Sequence, residues 1–131
     1  MACVSFLATN AIATLNEALA HVERTGEQVD YAEMLRLRGE MLLMRDGSST
    51  VEAEGSLRAA LDVARAQEAK WWELRASVSL ARLLRDTNRR DEGRTMLAEI
   101  YNWFTEGFEL PDLQEAKTLL DELTTKRDSQ M

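Results

Sequence analysis

The chain has 131 residues, 45% of them hydrophobic and 30% charged, which are values typical of a single soluble domain. Its net charge of −7 argues against general binding to nucleic acid or to an anionic membrane, because both select basic surfaces. Cys3 is the only cysteine, so an intramolecular disulfide is excluded. No apolar run approaches the ~20 residues of a membrane span and no basic secretory start is present, so we expect a cytoplasmic protein.

The N-terminal part of the chain is predicted to form a lone helix followed by a helical hairpin. The lone helix covers residues 4–24, where apolar residues recur at helical spacing, and Gly26 follows as a helix-stop residue. Hairpin 1 covers residues 30–68 and turns at a short run of Gly and Ser that begins at Asp46. These two elements make up the first half of the predicted domain.

Hairpin 2, residues 70–105, has the clearest helical periodicity in the chain. Asn88 is predicted to end its first helix in the left-handed conformation, which a short polar side chain tolerates. Gly93 lies in the first turn of its second helix. Because glycine is a poor helix former, we expect it to mark a close approach to the preceding helix.

The C-terminal part is predicted to contain a capping helix over residues 112–124 and a polar tail over residues 126–131 that frays. Few residues are β-branched, so a sheet is not expected. The predicted fold class is therefore all-α, with about six helices forming one domain over residues 1–125.

An internal repeat supports this arrangement. Three helices share a small, a large and an apolar residue with gaps of four and three, and the copies are offset by 42 and then 40 residues. Self-similarity at this period is typical of stacked helical hairpins. The three copies are Ala11, Leu15 and Ala18; Ala53, Leu57 and Ala60; and Gly93, Leu97 and Ile100.

The spacing resembles the tetratricopeptide repeat, with a small residue at Gly39 or Ala81 and a large one three positions later. The stretches LRLRGEMLL, EGSLRAALDVARAQEAKWWELRASVSLARLL and YNWFTEGFELPDLQEAKTLLDEL look like the C-terminal repeat region of bacterial signalling proteins, the predicted ATPases and class III nucleotide cyclases. This resemblance covers roughly residues 28–125 and implies a right-handed α-α superhelix that binds proteins. The cyclase and ATPase modules are absent, so their activities are not implied.

No residue pattern in the sequence indicates catalysis. His21 is the only histidine, which argues against metal clusters and against Ser/His/Asp or Cys/His sites. Acidic pairs such as Asp91-Glu92 are adjacent in sequence and therefore point to different sides of a helix. No glycine-rich loop has the lysine spacing of a phosphate site. We expect no enzyme activity, no cofactor and no metal.

Four arginines are the predicted binding residues. In tetratricopeptide arrays the first helices of successive hairpins line a concave groove, so the resemblance implies that these side chains face it. Guanidinium groups there would bind carboxylates of an acidic protein or peptide bidentately. The alternative is a solvated face that Glu33, Glu40 and Asp86 balance. The four residues are Arg36, Arg75, Arg82 and Arg85.

An aromatic set near the last hairpin is predicted to form core against the final helix. Trp71 and Trp72 are adjacent, so both cannot point fully inward, and one of them is predicted to be an exposed contact. The set comprises Trp71, Trp72, Tyr101, Trp103, Phe104 and Phe108.

The N-terminal helix is predicted to mediate a homodimer, because its repeat copy lacks the first half of a hairpin and would expose an apolar stripe. Phe6, Ile12 and Leu15 are the predicted contacts. In the competing prediction, residues 1–10 fold back over the stripe.

Two functions follow as hypotheses. The leading one is a non-catalytic protein–protein interaction module related to the repeat tail of a bacterial signalling protein. The alternative is a regulatory domain that binds a small acidic ligand in the arginine-lined groove.

Overall fold

The computed structural model describes residues 10–20, 31–45 and 50–129, with side chains through Thr124. This part of the chain forms six helices and contains no strand, which confirms the all-α class. Gly26, the turn at Asp46, Cys3 and His21 lie outside the described residues. The helices are α1 (10–20), α2 (Tyr31–Arg45), α3 (Thr50–Ala66), α4 (Lys70–Asp86), α5 (Arg90–Tyr101) and α6 (Pro111–Ser129).

The central helix of the fold is α4, which contacts α2, α3, α5 and α6. Buried residues occur all round it, including Leu74, Leu80 and Leu84, since helices cover it on several sides. The closest packing is within α2–α3 and within α4–α5, the two pairs predicted as hairpins. Helix α1 precedes the first pair and α6 follows the second pair along the chain.

In the described part of the chain, the core consists of three connected layers of aliphatic side chains. Leu74, Leu97 and Leu113 represent the layer between α4, α5 and α6. Leu57 and Leu80 represent the layer between α3 and α4. A third, smaller layer joins α1 to α2 and α3. The helices around α4 thus bury their apolar sides against it and against one another, which is the main source of stability in a helical array.

In each hairpin the two helices cross where a glycine of one helix meets an alanine of the other, and the two crossings are at equivalent positions of the repeat. A Cβ added at Gly39 would lie 2.8 Å from Leu57 Cγ and 3.2 Å from the Ala53 carbonyl oxygen. A Cβ added at Gly93 would lie 3.3 Å from the Ala81 carbonyl oxygen. The predicted close approach at Gly93 is confirmed. In the repeat alignment Gly39 matches Ala81 and Ala53 matches Gly93. The glycine is therefore in the first helix of hairpin 1 and in the second helix of hairpin 2, although the crossing occurs at the same repeat position.

Several helix ends differ from the predicted ones. Asn88 has φ +64°, as predicted, and ends the turn between α4 and α5. The predicted helix through Phe104 is wrong, because α5 ends at Tyr101. The amides of Trp103 and Phe104 bond three residues back, to the Ile100 carbonyl at 3.1 Å and the Tyr101 carbonyl at 3.2 Å.

The predicted end of the last helix also requires correction. Helix α6 continues to Ser129, past the predicted end at 124, since no glycine or proline follows to stop it. Among the described helices, none is long and apolar enough to cross a membrane.

Candidate functional site

The predicted arginines come together on one polar face formed by α2, α4 and α6, which pack side by side in that order. Arg36, Arg75 and Arg82 line a small pocket together with Ser79, and acidic residues of α6 close its far side. Arg82 and Arg85 border an adjacent, larger groove. The face therefore unites residues that are more than forty positions apart in the sequence.

Arg36 is buried, with 8% of the residue exposed. Its Nε and Nη2 donate to the two carboxylate oxygens of Glu33, at 2.8 and 2.7 Å, and its Nη1 donates to Glu40 and to Ser79 Oγ. Ser79 in turn donates to Glu40 at 2.8 Å. The Glu33 hydrogen bond is the main reason that the pKa of Arg36 is raised, although burial opposes it. Arg36 therefore joins α2 to α4 and presents no free guanidinium.

The other three arginines of the face are also paired. Their partners come from the same helix, from α2 or from α6. The hydrogen bond that Arg85 Nε donates to the Asp86 carboxylate is the first cause of the raised pKa of Arg85. These carboxylates offset the arginines, so the face is not basic as a whole. The pairs are Arg75–Glu33 (3.2 Å), Arg82–Glu115, Arg85–Asp86 (2.9 Å) and Arg85–Glu122 (3.1 Å).

The larger cavity beside this face, here called the α2–α4 groove, has a volume of about 380 Å³. Leu43, Met44 and Leu83 give it an apolar floor, and Met44 is among the exposed large hydrophobic residues. Arg82 and Arg85 also line it, together with the acidic residues Glu40 and Asp86. Sequence reasoning missed the floor because leucine and methionine at helical spacing are indistinguishable from core residues.

The pocket among Arg36, Arg75 and Arg82 is much smaller, at about 50 Å³. Sites that enclose small organic ligands typically measure ~300–1,000 Å³. The arginine pocket has room for a few water molecules, since a cavity needs ~10–15 Å³ to hold one. Its size favours a structural role over ligand binding.

Of the predicted self-association residues, Ile12 is placed differently from expectation. Ile12 is only 5% exposed and packs against Leu42 and Ala53 within the same chain, so its prediction as a dimer contact requires correction. Helices α2 and α3 already cover it. Leu15 is half-buried, and Phe6 lies outside the described residues.

The aromatic set is divided between core and surface. Trp71, Tyr101 and Phe104 pack against the layer between α4 and α6, in agreement with the core interpretation. Trp72 is half-buried, with the Arg75 guanidinium 5.8 Å from its ring centre. The exposed contact predicted at Trp71 or Trp72 is therefore misplaced, since the most exposed aromatic side chains lie further along the chain.

No group of three or more His, Cys, Asp or Glu residues within the described ranges could hold a metal ion. The α2–α4 groove is the strongest candidate site, because it combines apolar residues and two arginines with a larger volume than the arginine pocket. In comparisons with known proteins, no protein-family model, no curated protein and no solved structure matches this chain.

Proposed function

We propose that this chain is a non-catalytic protein-interaction module that binds an acidic, partly apolar peptide segment in the α2–α4 groove. The carrying observation is the juxtaposition of an apolar floor, Leu43, Met44 and Leu83, with the guanidinium groups of Arg82 and Arg85. Such a groove accepts an apolar side chain as an anchor and a carboxylate beside it.

The same proposal includes a tetratricopeptide-like superhelix related to the repeat tail of bacterial signalling proteins. The exchanged Gly/Ala crossings support a duplicated hairpin. The packing order supports curvature toward the polar face, because α2, α4 and α6 contact one another in series whereas the backbones of α3 and α5 do not. In that arrangement the α2–α4 groove lies on the concave side.

A partner carboxylate can replace Glu115 as the partner of Arg82 at little cost. Arg82 and its partner Glu115 both have side chains that are more than 40% exposed. Exposed ion pairs contribute only about 0–1 kcal/mol, so exchanging one for another is nearly neutral. The burial of the partner's apolar side chain then supplies the net gain, at roughly 25 cal/mol per Å².

Titration calorimetry with a short peptide of alternating glutamate and leucine tests this function. We expect the peptide to bind, and the double variant Arg82→Gln/Met44→Ser to weaken binding about tenfold or more. Arg65→Gln is the matched control, because Arg65 is a half-exposed arginine with one ion pair, to Glu73, on another side of the molecule. It should bind as the wild type does.

The same titration with succinate separates the alternative function. Succinate binding that Arg75→Gln abolishes, without binding of the peptide, would support the small acidic ligand instead. Equal affinity of the groove variant and the wild type for the peptide would refute the proposed site.

A further inference from the structure

The segment between α5 and α6, residues 102–110, is here called the connector. It exposes three large apolar side chains within eight positions: Trp103 (56%), Phe108 (42%) and Leu110 (43%). Exposed apolar residues that occur singly are ordinary, whereas several in one short segment indicate an interaction surface.

Aromatic contacts hold the connector against the helices. The Phe104 ring packs edge-on against Trp71, with 5.8 Å between centroids, and the Phe108 ring lies 5.7 Å from Tyr101. Gly107 has φ +82°, which lets the chain turn there, and its carbonyl accepts the Leu110 amide at 2.9 Å. The exposed side chains are thus presented from an ordered turn, which lowers the entropy cost of binding.

The charges of the connector are negative and free. Glu106 and Glu109 flank Phe108, both are exposed, and neither pairs with another residue in the described part of the chain. The Lys70 ammonium already lies 5.5 Å from the ring centre of Trp103, so the two glutamates are the groups that can pair with further cations. These features complement lysine or arginine next to apolar side chains.

We propose that the connector is a docking surface for a basic, apolar segment of a partner protein. Trp103, Phe108 and Leu110 contact its apolar side chains, and Glu106 and Glu109 pair with its lysines or arginines. A second copy of the chain is a poor occupant, because each copy carries a net charge of −7 and the two acidic patches would repel. This surface is separate from the α2–α4 groove and does not depend on that assignment.

The test is calorimetry with a short peptide of alternating lysine and leucine, at low and high salt, together with a version in which serine replaces leucine and which should bind more weakly. We expect the lysine–leucine peptide to bind, more weakly at high salt. Trp103→Ala and Glu106→Gln/Glu109→Gln should each weaken it about tenfold. Neither variant should alter binding of the glutamate–leucine peptide to the groove, which keeps the two assignments distinguishable.

The control is Asp62→Asn/Glu68→Gln, which removes two exposed negative charges elsewhere on the surface. It should keep affinity within about twofold, and circular dichroism should show that every variant is folded. The proposal is overturned if the control loses as much affinity as the connector variant, if Trp103→Ala has no effect, or if the peptide does not bind. Sedimentation that shows a dimer abolished by Trp103→Ala would also overturn it, by making a second copy the occupant.

Discussion

The polar face of α2, α4 and α6 offers fewer free charges than its arginines suggest. The connector between α5 and α6 exposes more apolar surface than its aromatic residues suggest. The face carries four arginines, yet each already binds a carboxylate of the same chain. The connector consists largely of aromatic and aliphatic residues, yet it exposes three of them beside two unpaired glutamates. The availability of a side chain thus depends on what its neighbours have already satisfied, and residue type alone does not reveal it.

The cause lies in the geometry of each region. Glu33 and Glu40 are three and four positions from Arg36 on one helix, so α2 itself brings the charges together. In the connector, the adjacent Trp103 and Phe104 rings pack edge-on against each other, with 5.1 Å between centroids. Phe104 takes the inward position against Trp71, and Trp103 remains exposed.

The largest expected effect breaks the pairing on the polar face. Arg36→Met keeps the aliphatic stem but removes the charge that Glu33, Glu40 and Ser79 bind, so we expect a loss of about 2–3 kcal/mol in the free energy of unfolding. Arg75→Met is the matched control on the same face, where one partly exposed ion pair should cost less than about 1 kcal/mol. Urea denaturation measures both, and equal losses would show that burial of Arg36 contributes nothing.

In the connector, a smaller effect separates the anchor from the exposed contact. Phe104→Ala should cost about 2 kcal/mol, because the ring packs against Trp71 and the underlying core. Trp103→Ala should cost less than about 1 kcal/mol, since most of that side chain faces solvent. Thermal unfolding of the two variants gives the order. A greater loss for Trp103→Ala would mean that the connector's exposed and anchoring residues have been interchanged.

Two serines of α4 should respond with opposite signs, each by about 1 kcal/mol. Ser79 bonds Arg36 and Glu40, so Ser79→Ala should destabilise. Ser77 is fully buried, and its hydroxyl has no partner within the described part of the chain, so Ser77→Ala should stabilise. Urea midpoints decide the sign for each, and a stabilising Ser79→Ala would remove that serine from the charge network.

The smallest expected effect is the change in stability at acidic pH that depends on Glu54. Arg89 and then Arg58 donate to the Glu54 carboxylate and lower its pKa, against the opposing effect of burial. A lowered folded-state pKa means that the stabilisation is present at neutral pH and is lost as the pH falls below the ordinary value of a glutamate and through the lower folded-state value.

The measurement is the melting temperature from pH 7 to pH 3. Glu54→Gln should melt below the wild type at neutral pH, and the difference should shrink as the pH falls. Glu99→Gln serves as the control, because Glu99 is exposed and unpaired among the described residues. A difference for Glu54→Gln that stays constant across this range would show that its ionisation is not linked to folding.

Much of the fold could be predicted because its signals are local or periodic. Helical periodicity gave the class and the hairpin order, and Asn88 and Gly93 were assigned from conformational rules that hold wherever those residues occur. Helix ends were predicted less well, because α5 stops where aromatic packing begins and α6 continues where nothing stops it. For the site, spacing predicted that Arg75, Arg82 and Arg85 share one helix side, and the resemblance added Arg36. The alternative of a face balanced by Glu33, Glu40 and Asp86 named three of the partners, whereas Glu115 and Glu122 of α6 were not predicted.

The sequence by itself determined that the chain is helical, that its hairpins repeat, and which side of each helix is polar, because these depend on residues three or four positions apart. Only the tertiary structure decided which charges are free and which apolar residues are covered. Glu115 and Glu122 reach Arg82 and Arg85 from another helix, and Ile12 is covered by α2 and α3. Such contacts join residues that are tens of positions apart, and only packing brings them within bonding distance.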